Sequence, residues 1–129
     1  MILLDTDVMI DVLRGHPPAV AWLESVRAEE MGLPGLVLME IIQGCRDLEE
    51  QKRVERLVAG FALLWPTEAD CRRALADFVE HRLAGGLGLL DSLIAETSIG
   101  RGAPLATFNE KHYRSLGALR TVRPYARNP

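Results

Sequence analysis

The chain has 129 residues, 48% apolar and 26% charged, with a formal net charge of −3. That length suits one domain over 1–129, able to bury a core without a disulfide or metal, and the composition excludes a disordered chain. No apolar run approaches the roughly 18 residues of a membrane span. The start, Met-Ile-Leu-Leu-Asp, lacks the basic stretch and cleavage site of a secretory signal, and Cys45 and Cys71 have no CxxC spacing. A cytoplasmic protein with reduced core thiols is expected.

The apolar run Ile2-Leu3-Leu4 predicts a buried strand. Val8, Ile10 (or Asp11) and Leu13 predict a helix from about Asp7 that Gly15 ends, and Pro17-Pro18 opens a second with Val20, Leu23 and Val26. Met31 to Pro34 fits no helix and reads as a short strand. Leu36, Met39 (or Glu40) and Ile42 predict a helix ending at Gly44, and Leu48, Val54, Leu57 and Val58 another over 47–59. Phe61 to Trp65 reads as extended. Thr67 is a good N-cap for a helix through Cys71, Leu75, Phe78 and Val79 to Gly85-Gly86. A helix over 89–100, a strand over 103–107, a short helix over 113–116 and a strand over 119–122 complete the series. Short strands separated by helices imply an α/β fold, a mostly parallel sheet covered on both faces.

Three carboxylates stand where a purely structural account is strained. Asp5 directly follows the first apolar run, at the carboxyl end of a strand, where ligand crevices of open α/β sheets form. Glu40 and Asp91 each have apolar neighbours on both sides. Each has an ordinary reading: Asp5 and Asp91 as helix caps, Glu40 as an outward-facing side chain. A buried unpaired carboxylate costs several kcal/mol, roughly, unless it is paired or holds a cation, so the three together invite one. Asn109 follows a predicted strand and is either an Asx cap or a neutral oxygen donor. An oxygen-only set suits Mg2+ or Mn2+ and not zinc, and no phosphate-binding loop or nucleophile triad is present. Asp7 reads as first-turn chemistry and Asp11 as a solvated or supporting acid.

Taken whole, the acidic balance argues against nucleic acid. Divided along the chain it reads differently: residues 111–129 hold five basic side chains and no acid, while 1–110 carry −8.

Four segments together resemble the PIN-domain family, most closely the small VapC-type toxin ribonucleases. They are Leu3-Leu4-Asp5-Thr6-Asp7-Val8-Met9-Ile10-Asp11, Val37-Leu38-Met39-Glu40-Ile41-Ile42-Gln43-Gly44, Leu89-Leu90-Asp91-Ser92-Leu93-Ile94-Ala95 and Leu105-Ala106-Thr107-Phe108-Asn109-Glu110-Lys111-His112-Tyr113. The resemblance implies a three-layer α/β/α sandwich with a parallel, five-stranded sheet, and Asp5, Glu40 and Asp91 gathered around Mg2+ or Mn2+. Asn109 stands where the family's usual fourth acid falls, and Thr6 and Thr107 would support the site through their hydroxyls. The activity implied is metal-dependent endonucleolytic cleavage of single-stranded or loop RNA, with Lys111, Arg114 and Arg120 as candidate phosphate contacts. It implies also a homodimer and a small antitoxin partner of a type II pair. The competing readings are a non-catalytic PIN-like binding module and a housekeeping RNA-processing nuclease. A phosphotransferase reading of Asp5-Thr6-Asp7 fails on Met9 and on chain length.

Overall fold

The computed structural model describes residues 1–127; Asn128 and Pro129, the end of the basic segment, lie outside them. Five strands, β1 (Ile2–Leu4), β2 (Met31–Pro34), β3 (Ala62–Leu64), β4 (Leu105–Ala106) and β5 (Thr121–Val122), form one sheet. Its order is β3-β2-β1-β4-β5 and every pairing is parallel. The helices are α1 (Thr6–Leu13), α2 (Pro17–Ser25), α3 (Gly35–Gln43), α4 (Leu48–Val58), α5 (Glu68–His81), α6 (Leu89–Gly100) and α7 (Glu110–Tyr113). The α/β sandwich expected from the sequence is what forms.

β1 lies centrally, with Leu3 and Leu4 fully buried, because helices cover both faces of a parallel sheet and leave no polar side for alternation. Leu3 pairs with Gly32 on one flank and with Leu105 on the other. From β1 the chain builds outward through β2 and β3, then returns to add β4 and β5 on the opposite flank. The order therefore reverses between β1 and β4, and the carboxyl ends of those strands border the crevice that results. Gly15, with φ +71, ends α1 in the left-handed conformation glycine adopts freely.

Several boundaries differ from expectation. The last short helix lies at Glu110–Tyr113 rather than 113–116, and α5 stops at His81. In α3 the buried face is Val37 and Ile41, with Met39 exposed, so the periodicity is satisfied one residue out of phase. In α5, Leu75 and Val79 are 65% and 68% exposed, and Cys71 is exposed as well, so only Cys45 is even partly in the core. Apolar spacing identifies a helix face but not whether that face meets the sheet. Among the described residues no helix is long and apolar enough to cross a membrane.

The α5–α6 contact includes a partly buried ion network. Thr67 is the expected N-cap and, with Asp70, completes a capping box; Arg73 then joins Asp70 to Glu96 of α6, both carboxylates being buried. Burial, and next the Glu96 carboxylate, push the Asp77 carboxyl up to about 7. Its pKa is raised by folding, so the folded chain binds more protons than the unfolded one, and stability falls as pH rises through that value. The melting temperature should drop between about pH 6 and 8, and Asp77→Asn should remove most of that drop. A fall of the same size in the variant would assign it to another group.

Candidate active site

The site begins with the end of β1. Asp5 is the N-cap of α1: its Oδ1 accepts the Thr6 N–H at 2.8 Å. Its Oδ2 accepts the hydroxyls of Thr107, just past β4, at 2.7 Å and of Tyr113, in α7, at 3.0 Å. Burial, reinforced by the neighbouring charge of Asp7, raises the Asp5 carboxyl to about 6, although these hydrogen bonds pull it down. Only 3% of the residue is exposed.

The other two acids join through the same groups. Thr6 donates its hydroxyl to Glu40 Oε1 at 2.7 Å while its N–H donates to the capping Asp5 carboxylate, so one threonine ties α3 to the end of β1. Tyr113 Oη lies 3.5 Å from Asp91 Oδ1 as well as 3.0 Å from Asp5. Asp91 is held in the first turn of α6 by the Gly88 N–H, the cap role expected of it, and still faces the site. His112 Nδ1 stands 3.8 Å from Asp91 Oδ2. The Asn109 N–H donates to the Thr107 hydroxyl at 3.0 Å; its side chain is exposed and makes no cap hydrogen bond, contrary to the Asx reading.

Two contributors escape sequence reasoning. Asp7 is more than first-turn chemistry: its Oδ2 accepts the Phe108 N–H at 2.8 Å, fastening α1 to the segment that carries Thr107 and Asn109. Burial raises its carboxyl too. Tyr113 gives one signal, a tyrosine at the end of the fourth motif segment, but only folding shows its hydroxyl between two acids. Asp11 is not solvated: it is buried, accepts the Tyr125 hydroxyl at 2.8 Å and pairs with Arg127.

The basic segment is less uniform than its sequence. Arg120 Nη2 is engaged by the Gly102 carbonyl at 2.7 Å. Arg127 is engaged by Asp11, and Arg123 and Arg127 lie over the Phe108 ring. Lys111 and Arg114 are exposed and have no side-chain partner among the described residues.

The donor set fits a hard divalent cation, being carboxylate and hydroxyl oxygens with one acid's charge penalised by burial. Among the described residues no three acidic, histidine or cysteine side chains close on one point as they stand. The Tyr113 hydroxyl lies against Asp5 and Asp91, and Glu40 is drawn toward Thr6.

The PIN domain model matches residues 2–116. The chain belongs to the PIN-domain family. Ribonuclease VapC10 of Mycobacterium tuberculosis is 38% identical over 123 residues, covering 93% of this chain and 91% of that protein. Ribonuclease VapC19 of the same organism is 31% identical over 119 residues, covering 88% and 92%. Among solved structures, a toxin-antitoxin complex from Klebsiella pneumoniae contains a chain with the same fold, at TM-score 0.78 and 23% identity, covering 97% of this chain and 98% of that one. The family resemblance read from four short segments is borne out across the length of this PIN domain.

Proposed function

We propose that this PIN domain is an endoribonuclease dependent on Mg2+ or Mn2+, cleaving single-stranded or loop RNA in the cytoplasm as the toxin of a type II toxin–antitoxin pair. One observation carries the reading: Asp5, Glu40 and Asp91, far apart in sequence, are joined by Thr6 and Tyr113 at the crevice beside β1. The relatives named above supply the substrate class.

Asp5 and Asp91 would hold the ion, with Glu40 beside them. A bound Mg2+ or Mn2+ supplies Lewis-acid chemistry: it makes water nucleophilic at neutral pH and neutralises charge on the phosphoryl oxygens. Thr107 and Thr6 fix the Asp5 carboxylate in one orientation. Glu40, only partly buried, orients the attacking water and takes its proton. The new bond joins that water's oxygen to phosphorus; the bond to the leaving nucleotide oxygen breaks, and that oxygen regains a proton. Asn109 offers its carboxamide at the exposed rim, and Lys111 and Arg114 meet flanking phosphates, with Arg120 a lesser contributor because Gly102 holds it.

A homodimer also belongs to this reading. Leu75, Val79 and Leu83 form an exposed apolar row along and just beyond α5. A second copy related by a two-fold axis would cover the same row on each chain. The mass of the free protein in solution decides it.

The deciding experiment is cleavage of a structured-RNA panel with and without Mg2+, comparing the wild type with Asp91→Asn. Cleavage by the wild type alone, abolished by chelation, is expected. Equal cleavage by both proteins would remove the enzyme claim, and RNA binding without cleavage would favour the non-catalytic module.

A further inference from the structure

We infer that the groove running from Glu40 between α1, α3 and α4 carries the RNA backbone away from the site, with Arg14 and Arg53 as its phosphate contacts. The inference rests on the ribonuclease reading above and moves the main electrostatic contact away from the C-terminal basic segment.

The groove encloses about 500 Å³, a volume typical of ligand sites. Ile10, Leu13, Ile41 and Val54 line it with apolar surface. Glu40 lines it too, which joins it to the acids through Thr6. Its charged lining is otherwise Arg14, Arg46, Arg53 and Glu50. Arg46 is neutralised by Glu50 at 2.6 Å. Arg53 gives one N–H to the Leu13 carbonyl at 2.9 Å, which anchors its guanidinium against the end of α1; the Glu50 carboxylate, already paired with Arg46, offsets its charge only in part. Arg14, just past that end, has no side-chain partner among the described residues.

The hollow does not stop at Arg53. A second, of about 300 Å³, shares Leu13 and Arg53 with the first and extends to Arg56. The result is a track, starting at a catalytic carboxylate and followed by cations in succession. A small molecule would use one pocket; a polyanion uses the length. The lining contains no aromatic side chain, so the track holds the backbone by charge and carries no stacking platform. Sequence preference must then arise elsewhere along the crevice.

The probe is a short fluorescein-labelled single-stranded RNA, titrated in EDTA so that it stays intact, over a series of salt concentrations. Removing one cation that meets a phosphate of a single strand lowers the salt slope by about 0.7, so Arg14→Gln should reduce it by about 0.7 and the pair with Arg53→Gln by about 1.4. Between about 50 and 200 mM salt, the affinity of the wild type should therefore fall about sevenfold further than that of the double variant. Arg53→Gln also removes a backbone hydrogen bond and its melt must be checked; Arg14→Gln removes none and stands alone as a test. Unchanged slopes in both variants overturn the track, including the case where the same variants release an acidic protein partner instead. If the wild type neither binds the RNA in EDTA nor cleaves it once Mg2+ is restored, the ribonuclease reading falls with the track. If the wild type binds and the variants match it, only the track falls.

Discussion

Asp5→Asn should abolish cleavage while leaving the fold as stable as before or more so. If Asp5 holds the ion as proposed, its loss removes several kcal/mol of transition-state stabilisation, a rate loss of at least about 10²-fold. Stability moves the other way. The Asp5 carboxyl titrates at about 6 in the folded protein against 3.8 for an unperturbed aspartate, chiefly because it is buried. At neutral pH that difference amounts to about 3 kcal/mol against the charged form. The folded pKa is raised, so stability present at low pH is lost as pH rises toward and through 6. Asparagine never ionises and escapes that loss. It has one oxygen where aspartate has two, so it cannot serve Thr107, Tyr113 and the Thr6 N–H equally well, and a weakened cap costs about 1 kcal/mol. The net gain at pH 7.5 should be about 2 kcal/mol, read as a higher melting temperature. A variant that melts lower by more than about 1 kcal/mol and still cleaves RNA would make Asp5 a helix cap only.

Tyr113→Phe should separate the two tasks of the hydroxyl. The phenol is buried, and burial with the charges of Asp5 and Asp91 pushes its pKa far up, so it stays protonated and donates. Without it Asp5 is deprived of a hydrogen bond to a charged group, and repulsion between Asp5 and Asp91 goes without its local compensation. The metal-free variant should be less stable by about 1–3 kcal/mol. A cation no longer competes with the hydroxyl for the same carboxylate oxygens, so Mn2+ should raise the melting temperature more in the variant than in the wild type. Identical melts with an identical Mn2+ response would mean that the hydroxyl does not hold the acids.

These two substitutions also mark how far sequence reasoning reaches. Asp5 is legible because its environment is local: an apolar strand ends, and the next residue is a carboxylate that caps a helix. Asp91 is legible for the same reason, and its cap and its approach to the site prove compatible. Tyr113 is not, because a tyrosine in a short amphipathic helix is ordinarily core, and its value lies in partners 108 and 22 residues away. Asp7 shows in sequence its local role only; the second carboxylate oxygen serves Phe108, 101 residues distant.

The charge pattern follows the same division. The sequence places five cations in a row of 17 positions, and counting suggests one stripe. Folding hands Arg120 to a carbonyl and Arg127 to Asp11, while Arg14 and Arg53, 39 positions apart, meet in one groove.

Legible before folding were the alternation of strands and helices, the N-cap at Thr67, the order of the four motif segments and the three acids within them. Periodicity, caps and motif spacing act over a few residues, and a chain displays them before it folds. Folding selects which helix faces are buried, which cations are already engaged and what joins the acids. Each depends on β1 lying between β2 and β4, an arrangement of strands whose paired residues stand 29 and 102 positions apart and which no local pattern encodes. That placement brings Thr6 beside Glu40 and Tyr113 beside Asp5, and there burial makes a carboxylate's charge expensive enough to favour a cation.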